Sequence, residues 1–190
     1  MEKLPCSFFK RNTLIVAQDL LGKYLVRVCN NKLIGKIVET EAYMSSNDPA
    51  CHAAKKRTSR NEIMYQDAGV LYIYLIYGMY YCLNIVTEEE GKPCAVLIRA
   101  LEPIEGMQQM MEYRKTQKIK NLTNGPSKLC QALNINKKYN GIDISGDNFY
   151  LTNGEVEDFE IVKASRIGIK VGTENLWRFY IKDNPFVSKT

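Results

Sequence analysis

Residues 72–85 read YIYLIYGMYYCLNI, and this stretch decides how the rest of the chain is organised. Side chains alternate along a strand, so Tyr72 and Tyr74 share one face while Ile73 and Leu75 share the other. Gly78 interrupts the pattern, and a glycine inside a strand marks a bend, a bulge or a close backbone approach. Residues 70–77 and 80–87 are therefore expected to be strands. Tyr77 falls immediately before the break, where its ring can project from the surface. Tyrosines in strands commonly pack into a core with their hydroxyls at its edge. Flat rings near a cationic surface also stack on bases.

Further strands are expected over 24–29, 32–43 and 94–101, the first two joined at Asn30-Asn31, a pair that tolerates left-handed turns. Thr13 is expected to cap a short helix, TLIVAQDLLG, that stops at Gly22. Pro103 is expected to open a helix carrying Ile104, Met107, Met110 and Met111. After Asn124-Gly125-Pro126 comes another helix, SKLCQAL, and short strands include FEIVKA and RFYIK. Residues 44–61 are polar and irregular, and loops of that length are usually functional or mobile. Neither a regular strand–helix alternation nor an all-β order results. The expected fold is α+β, a single domain over residues 1–190 with a curved, mainly antiparallel sheet and surrounding helices.

Composition excludes several classes. With 190 residues, 45% hydrophobic and 25% charged, the chain can bury a core and is not a disordered one. No apolar run reaches the roughly 18 residues of a membrane helix, and the start, MEKLPCSFFKRN, lacks the pattern of a secretion signal. The 6 cysteines form no C-x-x-C pair and there is 1 histidine, so a zinc site is not expected. The net charge of +5 is modest. Its distribution is uneven: Lys55, Lys56, Arg57 and Arg60 form one basic cluster, and Arg114, Lys115, Lys118 and Lys120 another. A basic face and an ordinary solvated surface are both compatible with this.

The strand GKIVETEAY, residues 35–43, carries the candidate chemistry. Alternation puts Ile37, Glu39, Glu41 and Tyr43 on one face, opposite Val38, Thr40 and Ala42. Carboxylates buried without partners are costly. One reading is a solvent-facing polar side. The other is a carboxylate aimed into a cleft, able to hold or deprotonate a water, with the loop bearing His52 as a wall.

VETEAY, the later His52, YIYLIYGMYYCLN, VLIRALEP and NGPSKLCQAL together resemble the alkyladenine (3-methyladenine) DNA glycosylase family, from about the first helix to RFYIKDNPFVS. The resemblance implies an enzyme that flips alkylated or deaminated purines out of duplex DNA and hydrolyses the N-glycosidic bond, with no metal or organic cofactor. It implies that Glu41 activates the water and that Arg99 helps to hold it. Tyr43, His52, Tyr74, Asn84 and Leu97 would form the base pocket, Asn84 crowding the exocyclic amino group of guanine. Tyr77 would fill the gap left by the extruded nucleotide. No lysine matches a Schiff-base nucleophile. Arg57, Arg60, Ser127 and Lys128 are candidates for phosphate contacts, the last two at a helix start where free amides favour anions. Each also reads as solvated surface, Ser127 as a helix cap, His52 as a structural histidine and Asn84 as an amide satisfying nearby backbone. The expected partner is double-stranded DNA with damaged purines, met by a monomer without a membrane, in bacterial cytoplasm or a eukaryotic nucleus.

Two other classes compete. A carbohydrate glycosidase is suggested by Glu39 and Glu41, whose Cα atoms would lie roughly 6.6–6.8 Å apart on one strand. No tryptophan platform accompanies them, Trp177 being remote in sequence. A non-catalytic reader of damaged DNA would not need Glu41 and Arg99 together. Release of free base from an alkylated duplex separates the three.

Overall fold

A computed structural model describes residues 2–29 and 31–189. The strands are β1 (Tyr24–Val28), β2 (Lys32–Tyr43), β3 (Leu71–Ile76), β4 (Tyr80–Thr87), β5 (Cys94–Glu105), β6 (Phe149–Thr152), β7 (Ile161–Ala164) and β8 (Arg178–Ile181). They form one 8-stranded sheet in which β3-β4-β5-β2-β1-β6 is the main path and every pairing is antiparallel. The sheet divides at β2. One edge of β2 pairs β5 along its length. The other edge pairs β1 over Lys32–Lys36, then β8 over Glu39–Glu41. The helices are α1 (Cys6–Phe9), α2 (Thr13–Asp19), α3 (Met107–Arg114) and α4 (Pro126–Ala132). The expected α+β class with a curled antiparallel sheet is what the chain adopts.

Register shifts explain where simple alternation breaks. Ile37 pairs Leu101, Glu39 pairs Ala100 and Thr40 pairs Ile98, so Val38 is an extra residue on β2 and Arg99 one on β5. Ile37, expected on the carboxylate face, is fully buried in the main core, as is Val38. Beyond the bulge the alternation holds. Thr40 donates to the Ala17 carbonyl of α2 at 2.7 Å, while Glu39 and Glu41 both meet Arg99. Bulges of this kind re-aim side chains next to sites.

Several expectations are corrected. Pro103 does not open a helix. It lies in β5 beside a register shift, where a residue lacking N–H is tolerated. The helix begins at Met107, after Gly106 at φ 80°, and a Cβ there would come within 2.7 Å of the Lys32 carbonyl. The cap of α2 is Asn12, whose side chain accepts from the Leu14 amide. Thr13 is buried instead and donates to Glu88 at 2.7 Å. Gly125 occupies the cap position of α4, so Ser127 lies inside that helix with Pro126 at its first turn. In the turn between β1 and β2, Asn30 lies outside the described residues.

Candidate functional site

A cavity of about 480 Å³ opens between β3, β4, the loop after β2 and the segment after β7. It gathers nine residues singled out from sequence. Tyr43, His52, Tyr74 and Tyr77 bring rings, Asn84 and Leu97 come from β4 and β5, and Arg60, Arg99 and Ser127 supply polar groups. Glu41, Arg57 and Lys128 do not line it. Arg57 pairs with Glu62 at the surface, its Nε 2.8 Å from the carboxylate. Lys128 donates to Asn124 at 2.8 Å.

Glu41 stands one layer behind the wall, fully buried. The solvent-facing reading of the two carboxylates is therefore corrected: both are closed to solvent and held by partners. Three residues that do line the cavity grip Glu41. The Tyr43 hydroxyl donates to Oε2 at 2.8 Å, the Ile167 amide donates to Oε1 at 2.7 Å, and Nη1 of Arg99 lies 3.2 Å from Oε1. Burial raises the Glu41 pKa above the usual carboxylate range, although Arg99, the Ile167 amide and Tyr43 each pull it down. Burial also works against the charge of Arg99, yet Glu41 and Glu39 outweigh it and hold the guanidinium protonated. The phenol of Tyr43 is pushed far up, first by burial and then by Glu41, so it stays a donor.

The rings form a connected wall. His52 meets Tyr74 edge-on with centroids 4.6 Å apart, and its Nδ1 is 2.8 Å from the Tyr72 hydroxyl. Removal from water, and secondarily the charge of Arg60, lowers the His52 pKa, so the ring is neutral near pH 7. Burial lifts Tyr72 to about 12 and so keeps its hydroxyl protonated. The Asn84 amide donates to the Tyr72 carbonyl at 3.1 Å. That ties one N–H of the side-chain amide to the backbone of β3. The β3–β4 turn presents Tyr77 with 81% of its surface exposed and φ 54°, followed by Gly78 at φ 70°. An aromatic residue in the left-handed region stores strain of about 1–3 kcal/mol.

Several contributors carried no sequence signal. Met64 and the segment Ile167–Val171 line the cavity. That segment is pinned by Arg166, fully buried and bidentate to Asp48 at 2.7 and 2.6 Å, with its guanidinium 4.7 Å from the Tyr43 ring centroid. Asn61 staples the long loop, donating to the carbonyls of His52 and Lys56. A long polar loop was legible. Its anchoring to residues more than a hundred positions away was not.

Among the described residues, no group of three or more His, Cys, Asp or Glu could hold a metal ion, and no helix is long and apolar enough to cross a membrane. All 6 cysteines are free thiols.

The sequence profile described as methylpurine-DNA glycosylase (MPG) matches residues 7–185. Curated relatives that carry the name "Putative 3-methyladenine DNA glycosylase" match nearly end to end. A protein from Clostridium perfringens (strain SM101) is 51% identical, covering 98% of this chain and 99% of its own length. One from Clostridium acetobutylicum is 49% identical over 98% and 97%. One from Carboxydothermus hydrogenoformans is 50% identical over 98% of both.

Proposed function

This chain belongs to the methylpurine-DNA glycosylase family, and on that premise we propose that it removes alkylated purines from duplex DNA by hydrolysis, leaving an abasic site. The observation that carries this is the grip of Tyr43, Arg99 and Ile167 on Glu41, at the wall of a cavity bounded by tyrosine rings. A base inside the stack is out of reach of any such carboxylate, so the nucleotide must be extruded at a cost of a few kcal/mol. Tyr77, strained and exposed at the turn, enters the duplex and occupies the vacated space. The lesion settles among Tyr43, Tyr74 and His52. A purine alkylated at N3 or N7 is cationic, and each favourable ring contributes roughly 0.5–2 kcal/mol. The neutral imidazole of His52 adds no repulsion.

Glu41 then accepts a proton from water while the water oxygen bonds to C1′ of the deoxyribose. The bond from C1′ to the purine nitrogen breaks, and its electron pair leaves with the base. A cationic base departs neutral and needs no further proton. Deaminated purines are neutral and leave more slowly, since no side chain in the cavity is an evident general acid for them. Because the Tyr43 hydroxyl occupies Oε2 at 2.8 Å, the water reaches Glu41 when the incoming base draws that ring into its stack. Asn84 rejects guanine by crowding its exocyclic amino group. Arg60, Ser127 and Lys128 hold phosphates, joined by Arg57 once its pair with Glu62 opens. Phosphate contacts of this kind fix register but not base identity.

The test is release of free methylpurine from a defined duplex. Glu41→Gln should lower the single-turnover rate by about 10²–10⁴-fold while keeping affinity for the lesion; near-normal release removes Glu41 from the chemistry. Lys170 is the lysine on the cavity wall. Borohydride should trap no covalent adduct, and an adduct lost in Lys170→Ala would replace hydrolysis by a lyase reaction.

A further inference from the structure

Glu39 is as deeply buried as Glu41, yet nothing in the reaction above uses it. Its carboxylate collects four hydrogen bonds: from Nε of Arg99 at 3.1 Å, Nη1 of Arg178 at 3.0 Å, and the amide and hydroxyl of Ser188 at 2.8 and 3.0 Å. Arg99 is the shared element. Its Nε faces Glu39, its Nη1 lies 3.2 Å from Glu41, and its Nη2 donates to the Ser188 hydroxyl at 3.3 Å. A guanidinium is a rigid planar fork, so fixing one edge fixes where the other points. The extra residue on β5 is Arg99 itself, so plain strand pairing does not set its direction. The C-terminal segment closes the arrangement, since the Lys189 carbonyl accepts from Nη1 of Arg178 at 2.8 Å.

We infer that Glu39 is a positioning residue: together with Ser188 it locks the guanidinium of Arg99 so that one edge faces Glu41. This rests on Glu41 being the base. The groups facing Glu41 are Glu39 and Tyr43 from its own strand, Arg99 from β5, Tyr74 from β3, Cys82 from β4 and Arg166 from the segment after β7. Glu39 opposes ionisation of Glu41 and the arginines favour it. A purely structural tie for the C-terminus would affect stability without weakening the pull of Arg99 on Glu41.

The experiment is single-turnover release of base from an N7-methylguanine duplex, followed across pH for the wild type, Glu39→Gln, Ser188→Ala and Glu41→Gln. Glu39→Gln leaves the Nε edge of Arg99 without its charged anchor. The acid limb should move to higher pH as the pull of Arg99, the strongest influence favouring ionisation of Glu41, weakens, while the plateau falls about 10- to 100-fold as Arg99 loses its fixed orientation. Affinity for abasic-site DNA should hold. Ser188→Ala removes a neutral hydroxyl, so its limb should stay in place while its plateau falls roughly 2- to 10-fold. A folded Glu39→Gln protein whose acid limb stays in place or moves to lower pH overturns the inference. If that variant does not fold, Ser188→Ala decides, and an unchanged plateau overturns the inference as well. Wild-type release by Glu41→Gln would defeat the underlying reading instead. An inactive Glu41→Gln beside a wild-type-like Glu39→Gln would defeat the role of Glu39 alone.

Discussion

The amide of Ile167 donates to the carboxylate of Glu41 at 2.7 Å across 126 positions of sequence. One consequence concerns Asp48, which orders the segment that holds this amide. Asp48 accepts two hydrogen bonds from Arg166, and both side chains are fully buried. It also accepts from the amides of Met44 and Ala50. Asp48→Asn puts an NH2 donor against a buried guanidinium, and breaking such a pair costs about 3–5 kcal/mol. Denaturant unfolding should show that loss, together with slower base release as the Ile167 amide drifts from Glu41. A loss below about 1 kcal/mol would mean that the loop is held by other contacts.

Glu41 exchanges stability for chemistry. Its pKa is raised in the folded chain, chiefly by burial. The folded state therefore binds that proton more tightly than the unfolded state does. Ionisation of Glu41 costs stability above the folded pKa, and the cost disappears below the unfolded value. In Glu41→Gln the amide oxygen can still accept from Ile167 and Arg99, and the amide NH2 can donate to the Tyr43 hydroxyl. Arg99 keeps Glu39. The variant should melt higher than the wild type at neutral pH, by about 2–4 °C for each kcal/mol recovered. The gap should close as pH falls through the carboxylate range. A variant less stable than the wild type at neutral pH would mean that the ion pair with Arg99 outweighs desolvation.

What could be read from sequence follows from where the partners of each residue come from. The strands through Tyr72–Ile76 and Tyr80–Thr87 were legible because alternation and Gly78 are local signals. So was the shared face of Glu41 and Tyr43, two positions apart. Pro103 misled because proline usually ends a strand, and only the bulge beside Gly35 explains its place in β5. The roles of Glu39, Asp48 and Ile167 were not legible. Glu39 is satisfied by Arg178 and Ser188, 139 and 149 positions away, and Asp48 by Arg166, 118 away. No periodicity reports contacts made by side-chain charge between distant loops.

Tyr77 gives a cleaner separation of binding from folding than any pocket residue. The residue is 81% exposed and its backbone is left-handed. Tyr77→Gly removes the ring and the Cβ clash while adding glycine's unfolded-state entropy, so fold stability should change by no more than about 1 kcal/mol. Affinity for abasic-site duplex should fall by about 1–3 kcal/mol, the usual worth of one stacked ring. Fluorescence anisotropy on matched and abasic duplexes would measure it. Unchanged affinity would leave the exposed ring without a task in the duplex.

The basic residues differ in how freely they can meet phosphate, and salt dependence distinguishes them. Arg57 is already paired with Glu62, bidentate through Nε and Nη2, and stacked 4.6 Å from the Tyr65 centroid. Reaching a phosphate means giving up that pair, which returns part of the gain. Lys128 is held by the neutral Asn124 oxygen, beside Ser127 on the cavity wall. Burial, and secondarily the charge of Arg114, lowers its pKa. A phosphate arriving there relieves that repulsion. Lys128→Ala should reduce the slope of log affinity against log salt by about 1, while Arg57→Ala should change it by clearly less. Equal changes in the two variants would mean that opening the Arg57–Glu62 pair returns none of the gain, and a flat response to Lys128→Ala would move the phosphate track away from α4.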